Sequence, residues 1–151
     1  MNETELVVFA NAAREFFAKS TGDAAELGVA YLKKTDERIL SEFTGVVAFS
    51  GEREGGVYVT APAAMLAELT TIFTGLENPE ISHIRDMVGE LANHIAGFAT
   101  NAFGPNLEIS VPIVIEGAPL NIELPVRIPV FVVPIHWHGH RSHIVVGIAD
   151  K

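Results

Sequence analysis

One order of elements occurs twice along this 151-residue chain: a long amphipathic helix, then three strands rich in Val and Ile. Residues 4–19 place Leu6, Val7, Phe9, Ala10, Ala13, Phe16 and Phe17 at helical spacing and stop at Thr21-Gly22. Strands are expected at about 28–34, 43–50 and 55–61, the last two joined by the polar loop Gly51-Glu52-Arg53-Glu54-Gly55. Ala61-Pro62-Ala63 then opens a shorter helix with Pro near its first position, running through Met65, Leu66, Leu69 and Phe73 to Gly75. Glu77-Asn78-Pro79 breaks the chain. The second long helix covers about 80–103 and ends at Gly104-Pro105; strands follow at about 107–116, 126–135 and 142–149. A shift of 82 residues lays Asn11 on Asn93, Phe16 on Phe98, Gly22 on Gly104 and Val29 on Val111. The hairpins match at a slightly larger offset, Val46–Phe49 on Phe131–Pro134. Identity between the halves is low, so the repeat rests on the order of elements.

Strands of this kind, beside helices with one apolar face, imply a mostly antiparallel sheet covered on one side by the two long helices. We therefore expect an α+β fold in a single domain spanning 1–151, arranged as a pseudo-two-fold αβββ repeat. A chain of this length buries about 70% of its unfolded surface, enough for one core.

Charge and composition remove several classes of function. Nineteen acidic residues face ten basic ones, a net charge of −9, and Lys33-Lys34 is the only adjacent basic pair. Nucleic acid and anionic lipid are therefore poor partners; a protein or a small molecule fits better. No Cys is present, so disulfides and thiolate metal sites are impossible. The opening Met-Asn-Glu-Thr-Glu lacks the basic stretch of a signal peptide, and no apolar run reaches the ~18 residues of a membrane span. Both features suit a cytoplasmic protein.

The second long helix has two unlike faces. Ile84, Met87, Val88, Leu91, Ile95, Phe98 and Ala102 form an apolar stripe at spacings of three and four, the side for a core. Asp86, Glu90, Asn93 and Gly97 follow one another along the opposite side. The choices there are costly for a merely solvated helix: Asn costs several tenths of a kcal/mol against Ala, and Gly about 1 kcal/mol. Gly89, Asn93 and Gly97 fall within nine residues. Broken local rules on an exposed face mark a candidate functional site. An exposed Asp, Glu or Asn is nonetheless more often plain surface than catalyst.

The pattern Asp86-x-x-x-Glu90-x-x-Asn93 is followed by Ile95-Ala96-Gly97 and, about twenty residues later, by a strand proline in Val111-Pro112-Ile113-Val114-Ile115-Glu116-Gly117. Together these resemble the CheC/CheX family of bacterial chemotaxis phosphatases, most closely its CheX branch. The likeness extends through Gly45–Gly51, Gly55–Thr60 and Ile128–Pro134, and so covers most of the chain. It implies a six-stranded sheet with helices outside, and a homodimer. It also implies hydrolysis of the aspartyl phosphate on a CheY-type response-regulator receiver, whose own pocket holds the Mg²⁺; the chain then needs no cofactor.

In that reaction an Asn carboxamide suits the orientation of water, since it accepts and donates without placing charge beside a phosphoryl group. Asn93 is accordingly the expected catalytic group. The resemblance implies that Glu90 anchors the receiver through its invariant lysine. Gly89 and Gly97 are expected to lower the wall for the partner's approach, Asp86 to assist docking, and His94, at the edge of this face, to tune partner preference. Pro112 is expected to be structural, at an edge or a bulge. In the repeat register Glu90 falls on Val8 and Asp86 on Thr4, so one active site is expected rather than two.

Two other readings remain open from sequence. A non-catalytic adaptor of the same fold, related to flagellar switch middle domains, would bind a receiver without hydrolysing anything; retention of both Glu90 and Asn93 favours the enzyme. The run His136, His138, His140, His143 could suggest a metal through alternation on a strand, but Gly139 and Arg141 mark a hairpin tip where side chains splay, and no nearby acid in sequence completes a set. No metal is assigned to it. For the homodimer, Ile144, Val145 and Val146 are expected to lie on an unprotected C-terminal edge strand that a second copy covers.

Overall fold

The computed structural model describes residues 1–117 and 129–150. The first helix, α1 (Glu3–Thr21), starts with a reciprocal cap: Asn2 accepts from the Glu5 amide, and Glu5 accepts from the Asn2 amide. Gly22, in the left-handed region, ends it. Then come β1 (Glu26–Leu27), β2 (Tyr31–Leu32), β3 (Phe43–Gly51), β4 (Arg53–Ala61), α2 (Ala63–Thr74) and α3 (Ile81–Phe103). The chain continues with β5 (Leu107–Ile109), β6 (Ile113–Glu116), β7 (Phe131–Trp137) and β8 (His140–Asp150). Of the strand expected at 126–135, residues 126–128 lie outside the described residues.

Among the described residues every strand pairing is antiparallel. The central four strands run β7-β8-β4-β3; β1 and β2 lie end to end along β7, and β5 and β6 end to end along β3. The expected six-stranded sheet is thus present as six lanes, with both edge lanes broken in the middle. Each half also lends its first strand to the other half. Glu26 sits opposite His136 and Glu108 opposite Ser50, so a shift of 82 on the edge lane goes with one of 86 on its neighbour. That is one residue beyond the sequence match of Val46 with Phe131, a slip that would put every strand side chain on the wrong face.

The placement of β8 corrects a second expectation. It lies between β4 and β7, not at an edge, and Ile144, Val145 and Val146 are fully buried within one chain. They need no second copy to cover them.

One face of the sheet carries the main core. Phe9, Phe16 and Phe17 of α1, Met65, Leu66 and Leu69 of α2, and Val88, Leu91 and Ile95 of α3 meet Val47, Val57, Val59, Ile144 and Ile148 of the strands. Burying each large aliphatic side chain is worth about 1.5–3 kcal/mol, so this layer holds the helices down. Gly45 sets how closely: a Cβ there would stand 2.6 Å from the Val88 carbonyl oxygen. Among the described residues the opposite face carries a smaller cluster. There Ile39 and Leu40 lie over Tyr58, Val132 and Val145, and the Tyr58 hydroxyl donates to the Ile39 carbonyl at 3.0 Å. Among the described residues no helix is long and apolar enough to cross a membrane.

The breaks in the edge lanes are matched bulges. Ile109 faces Phe49 and Ile113 faces Val46, so Val111 and Pro112 share the space opposite Val47. Leu27 faces Ile135 and Tyr31 faces Val132, so Val29 and Ala30 likewise share the space opposite Val133. Both bulges throw a valine outward: Val29 is 89% exposed and Val111 83%.

At the far end, His138 and Gly139 turn β7 into β8 with φ of 48° and 77°, as a tight hairpin requires. For His this conformation is uncommon, and neighbours hold it. The ring stacks on Trp137 at 3.9 Å, its Nδ1 meets Glu68, and its Nε2 lies 2.9 Å from Asp23. His140 Nε2 is 3.3 Å from Glu68. The fold therefore brings acids to the histidine run that are remote in sequence, contrary to expectation. They make an ion-pair clamp, and among the described residues no group of three or more His, Cys, Asp or Glu is arranged to hold a metal.

Hydrogen bonding to Glu68, and then to Asp23, raises the His138 pKa above its ordinary value. Burial works to raise Glu68, but its bonds from His138 and His140 outweigh that and lower it. A raised histidine stabilises fully below its unfolded value and loses that contribution as pH rises through the folded one. The lowered carboxylate stabilises above its unfolded value and loses that as pH falls through the folded one. The clamp is therefore firmest between the two ranges. An NMR titration should give His138 a midpoint above 6.5, and Glu68→Gln should bring it down. A midpoint that Glu68→Gln leaves unmoved would refute the clamp.

Candidate functional site

The helix α3 begins with His83 Nδ1 accepting from the Glu80 amide at 3.0 Å. Its buried side comprises Ile84, Met87, Val88, Leu91 and Ile95, joined by Ala92, Ala96 and Ala99. Phe98 is only partly buried and Ala102 is exposed, so the apolar stripe bends away from its expected end. With that side seated, Asp86, Glu90 and Asn93 are exposed. Arg85 braces the same turn to β6, its Nε donating to Glu116 at 3.1 Å.

Glu90 and Asn93 share an open groove of about 390 Å³ with Gly89 and with Ile109, Ser110, Val111 and Pro112. The edge-lane bulge is therefore the second wall of the site. Ser110 fixes it: its backbone N–H donates to the Ala48 carbonyl at 3.0 Å, and its hydroxyl accepts from the Ala48 amide at 2.9 Å. A side chain thus replaces a ladder acceptor, and the next two residues are free to swing toward α3. The first half shows why Ser is needed here. Gly28 stands at the corresponding place, and its opposite number is Pro134, which has no N–H to satisfy. A Cβ at Gly28 would also stand 2.9 Å from that proline ring.

Among the described residues neither Glu90 nor Asn93 makes a side-chain hydrogen bond or ion pair, so both are free for a partner or water. Asn11, the counterpart of Asn93, is exposed too, but its carboxamide oxygen accepts from Arg14 at 2.9 Å. Val8 stands where Glu90 would be. The two halves share a backbone, and only one keeps a carboxylate and an uncommitted amide.

The four residues expected to contact a partner take different places. Gly89 lines the groove but is buried, because β6 passes beneath it; a Cβ there would touch Val114 at 3.4 Å. His94 turns toward α1, edge-on to Phe16 at 5.1 Å and beside Phe98, so it packs between helices. Gly97 is not among the groove-lining residues, and a Cβ there would meet nothing within 4 Å. Asp86, though exposed, lies outside the groove lining as well. Ser110 and Val111 line it without having been expected to. The strand proline and the matching of Val29 with Val111 were the available signals for them.

Residues 43–136 match the family described as chemotaxis phosphatase CheX, over more than half of the chain. The chain belongs to this family. Among solved structures similar to this CheX-family chain is the chemotaxis protein CheX from Vibrio vulnificus, with TM-score 0.84, 17% identity, and coverage of 97% of this chain and 99% of that one. The CheX-CheY-BeF3-Mg²⁺ complex from Borrelia burgdorferi matches with TM-score 0.77 at 18% identity, over 97% and 98%. The FliM middle domain from Vibrio alginolyticus shares the fold more loosely, with TM-score 0.58 at 14% identity over 97% and 90%. Curated protein sequences give no match. Since the FliM middle domain shares the architecture, the fold alone does not fix a role; the family match points to a phosphatase, and the roles of residues must come from the groove.

The open space around Gly97 makes a prediction about its cost. Gly97→Ala should stabilise the protein by about 0.5–1 kcal/mol, read from a urea unfolding midpoint at unchanged slope. A lower midpoint would mean that the helix needs a glycine there for its own sake.

Proposed function

We propose that Glu90 and Asn93 carry the phosphatase activity of this CheX-family chain, and that its substrate is the aspartyl phosphate of a CheY-type response-regulator receiver, in bacterial chemotaxis or a related two-component pathway. The observation that supports this most is the pair of uncommitted side chains on adjacent turns, lining one open groove together. The groove is too open to enclose a small metabolite, but it suits the rim of a protein partner.

Asn93 holds a water in line with the phosphorus–oxygen bond. Water attacks phosphorus, that bond breaks, and the receiver regains its aspartate carboxylate while inorganic phosphate leaves. An acyl phosphate is reactive already, so positioning is the main contribution and can supply orders of magnitude. Glu90 docks against the receiver's lysine and fixes where Asn93 lands. The Mg²⁺ stays in the receiver's pocket, as the ion in the Borrelia burgdorferi complex suggests. We place the chain in the cytoplasm, with that partner.

The homodimer implied by the CheX resemblance needs another surface now that β8 is internal. We assign it to the β1–β2 lane, where Val29, Tyr31 and Leu32 are exposed. Pairing there leaves both Glu90–Asn93 grooves open, because each groove borders the opposite edge. Light scattering across a dilution series should show twice the 16.2 kDa chain mass, and Leu32→Lys should lower it. A particle of single-chain mass at all concentrations would end this assignment.

For catalysis, Asn93→Ala should slow receiver dephosphorylation by about 100-fold while leaving thermal stability unchanged. Glu90→Lys should nearly abolish it by setting like charges face to face. Asn11→Ala should match the parent protein. Near-parental rates for Asn93→Ala, or a large loss for Asn11→Ala, would overturn the assignment of the site.

A further inference from the structure

Val111 has no part in the chemistry above, yet it stands at the mouth of the groove, 83% exposed, between Ser110 and Pro112. We propose that Val111 determines which receivers dock: its side chain, pushed out by the bulge beside Glu90 and Asn93, seats on apolar surface bordering the receiver's phosphorylation pocket. This rests on the reading of the groove as the receiver-docking face.

A single exposed valine is ordinary by itself, and a bulge throws out whichever residue occupies it. The comparison between the halves adds information. Val29 occupies the matching bulge with similar exposure, but its flanks are Gly28 and Ala30. Val111 is held on both sides. Ser110 grips Ala48 through backbone and hydroxyl together, and Pro112 removes freedom at its own φ. The ladder accounts for Ser110, since the Ala48 amide needs an acceptor; it does not account for Pro112. A stiff bulge matters where the position of its tip matters. A pre-positioned apolar tip beside polar groups loses little conformational entropy on docking, which makes it an efficient anchor.

The chemistry around the tip sets the kind of surface it meets. Glu90 and Asn93 address the charged and solvated part of the receiver. Val111 can gain only from apolar area, so it distinguishes receivers by what borders their pocket, while the pocket itself is common to all of them. Uniform binding of this kind lowers KM and leaves kcat alone.

Steady-state dephosphorylation of a phosphorylated receiver by the full chain tests this. Val111→Asp should raise KM by about tenfold with kcat near the parent value, and Val111→Ala should raise it less. Val7→Asp, at an exposed valine of α1 outside both the groove lining and the β1–β2 lane, should leave both constants unchanged, which controls for adding a charge to the surface. Val111→Leu should alter the ratio of kcat/KM between two receivers that differ in apolar residues around the pocket. A parental KM for Val111→Asp, an equal effect from Val7→Asp, or a fall in kcat alone would overturn the proposal. Asn93→Ala separates the two readings. If it is slow while Val111→Asp has a parental KM, the groove stands as the site and Val111 is not its specificity contact. If Asn93→Ala is fully active, the reading of the groove fails and this inference fails with it.

Discussion

The close approach of α3 to the sheet at Gly45 sets the height of the groove's helical wall. The Val88 carbonyl and the Ala92 methyl sit directly over that glycine, in space that a Cβ would fill. Because α3 rests flush there, Gly89 meets Val114 on the edge lane, and Glu90 and Asn93 come level with the bulge of Ser110–Pro112. A bulkier residue at position 45 would push against backbone atoms, which cannot rotate aside. The helix would have to lift, and the groove would widen between its two walls. The geometry of an exposed site is thus set one layer below it.

The contrast between the halves shows how little must change to make a site from a repeated backbone. Both halves have a helix with an outward Asn, a bulged edge strand and an outward Val. Only the second has a carboxylate one turn before the Asn, and only there is the amide uncommitted, since Arg14 engages Asn11. The strand partners changed in step: Pro134 lacks a donor and faces Gly28, whereas Ala48 has one and faces Ser110. Each bulge is internally consistent, and they are not interchangeable.

Periodicity made the three helices legible to within a few residues, because each long helix has one clear apolar face and ends in a Gly. The family resemblance pointed to Glu90 and Asn93, and the structure leaves both exposed and unbonded beside one groove. What could not be read came from pairing. A strand's neighbours depend on contacts far along the chain, so β8 was expected at an edge although it is central. The offset of the hairpins was misjudged by one, since apolar runs such as Val46-Val47 look alike in either register. Gly89 and Gly97 looked equivalent as breakers of helix propensity, but β6 runs beneath one and nothing lies near the other. His94 seemed to belong to the polar face until Phe16 from α1 came against its ring.

The crossed edge lanes have a further consequence for how the chain comes to be folded. Among the described residues, 26–32 find their strand partner in β7, about a hundred positions later, while residues 107–116 return to β3. Neither αβββ half can complete its own sheet: each is a three-stranded unit with one strand missing and one to give away. The molecule is in effect a dimer of half-chains joined by a covalent tether, and its assembly must wait for long loops to close, an entropic delay that slows folding. During synthesis the N-terminal half leaves the ribosome with an unpaired edge and holds it open until the last third of the chain arrives. A cut between α2 and α3 would turn a first-order folding reaction into a second-order one, with a rate that depends on the concentration of the two pieces.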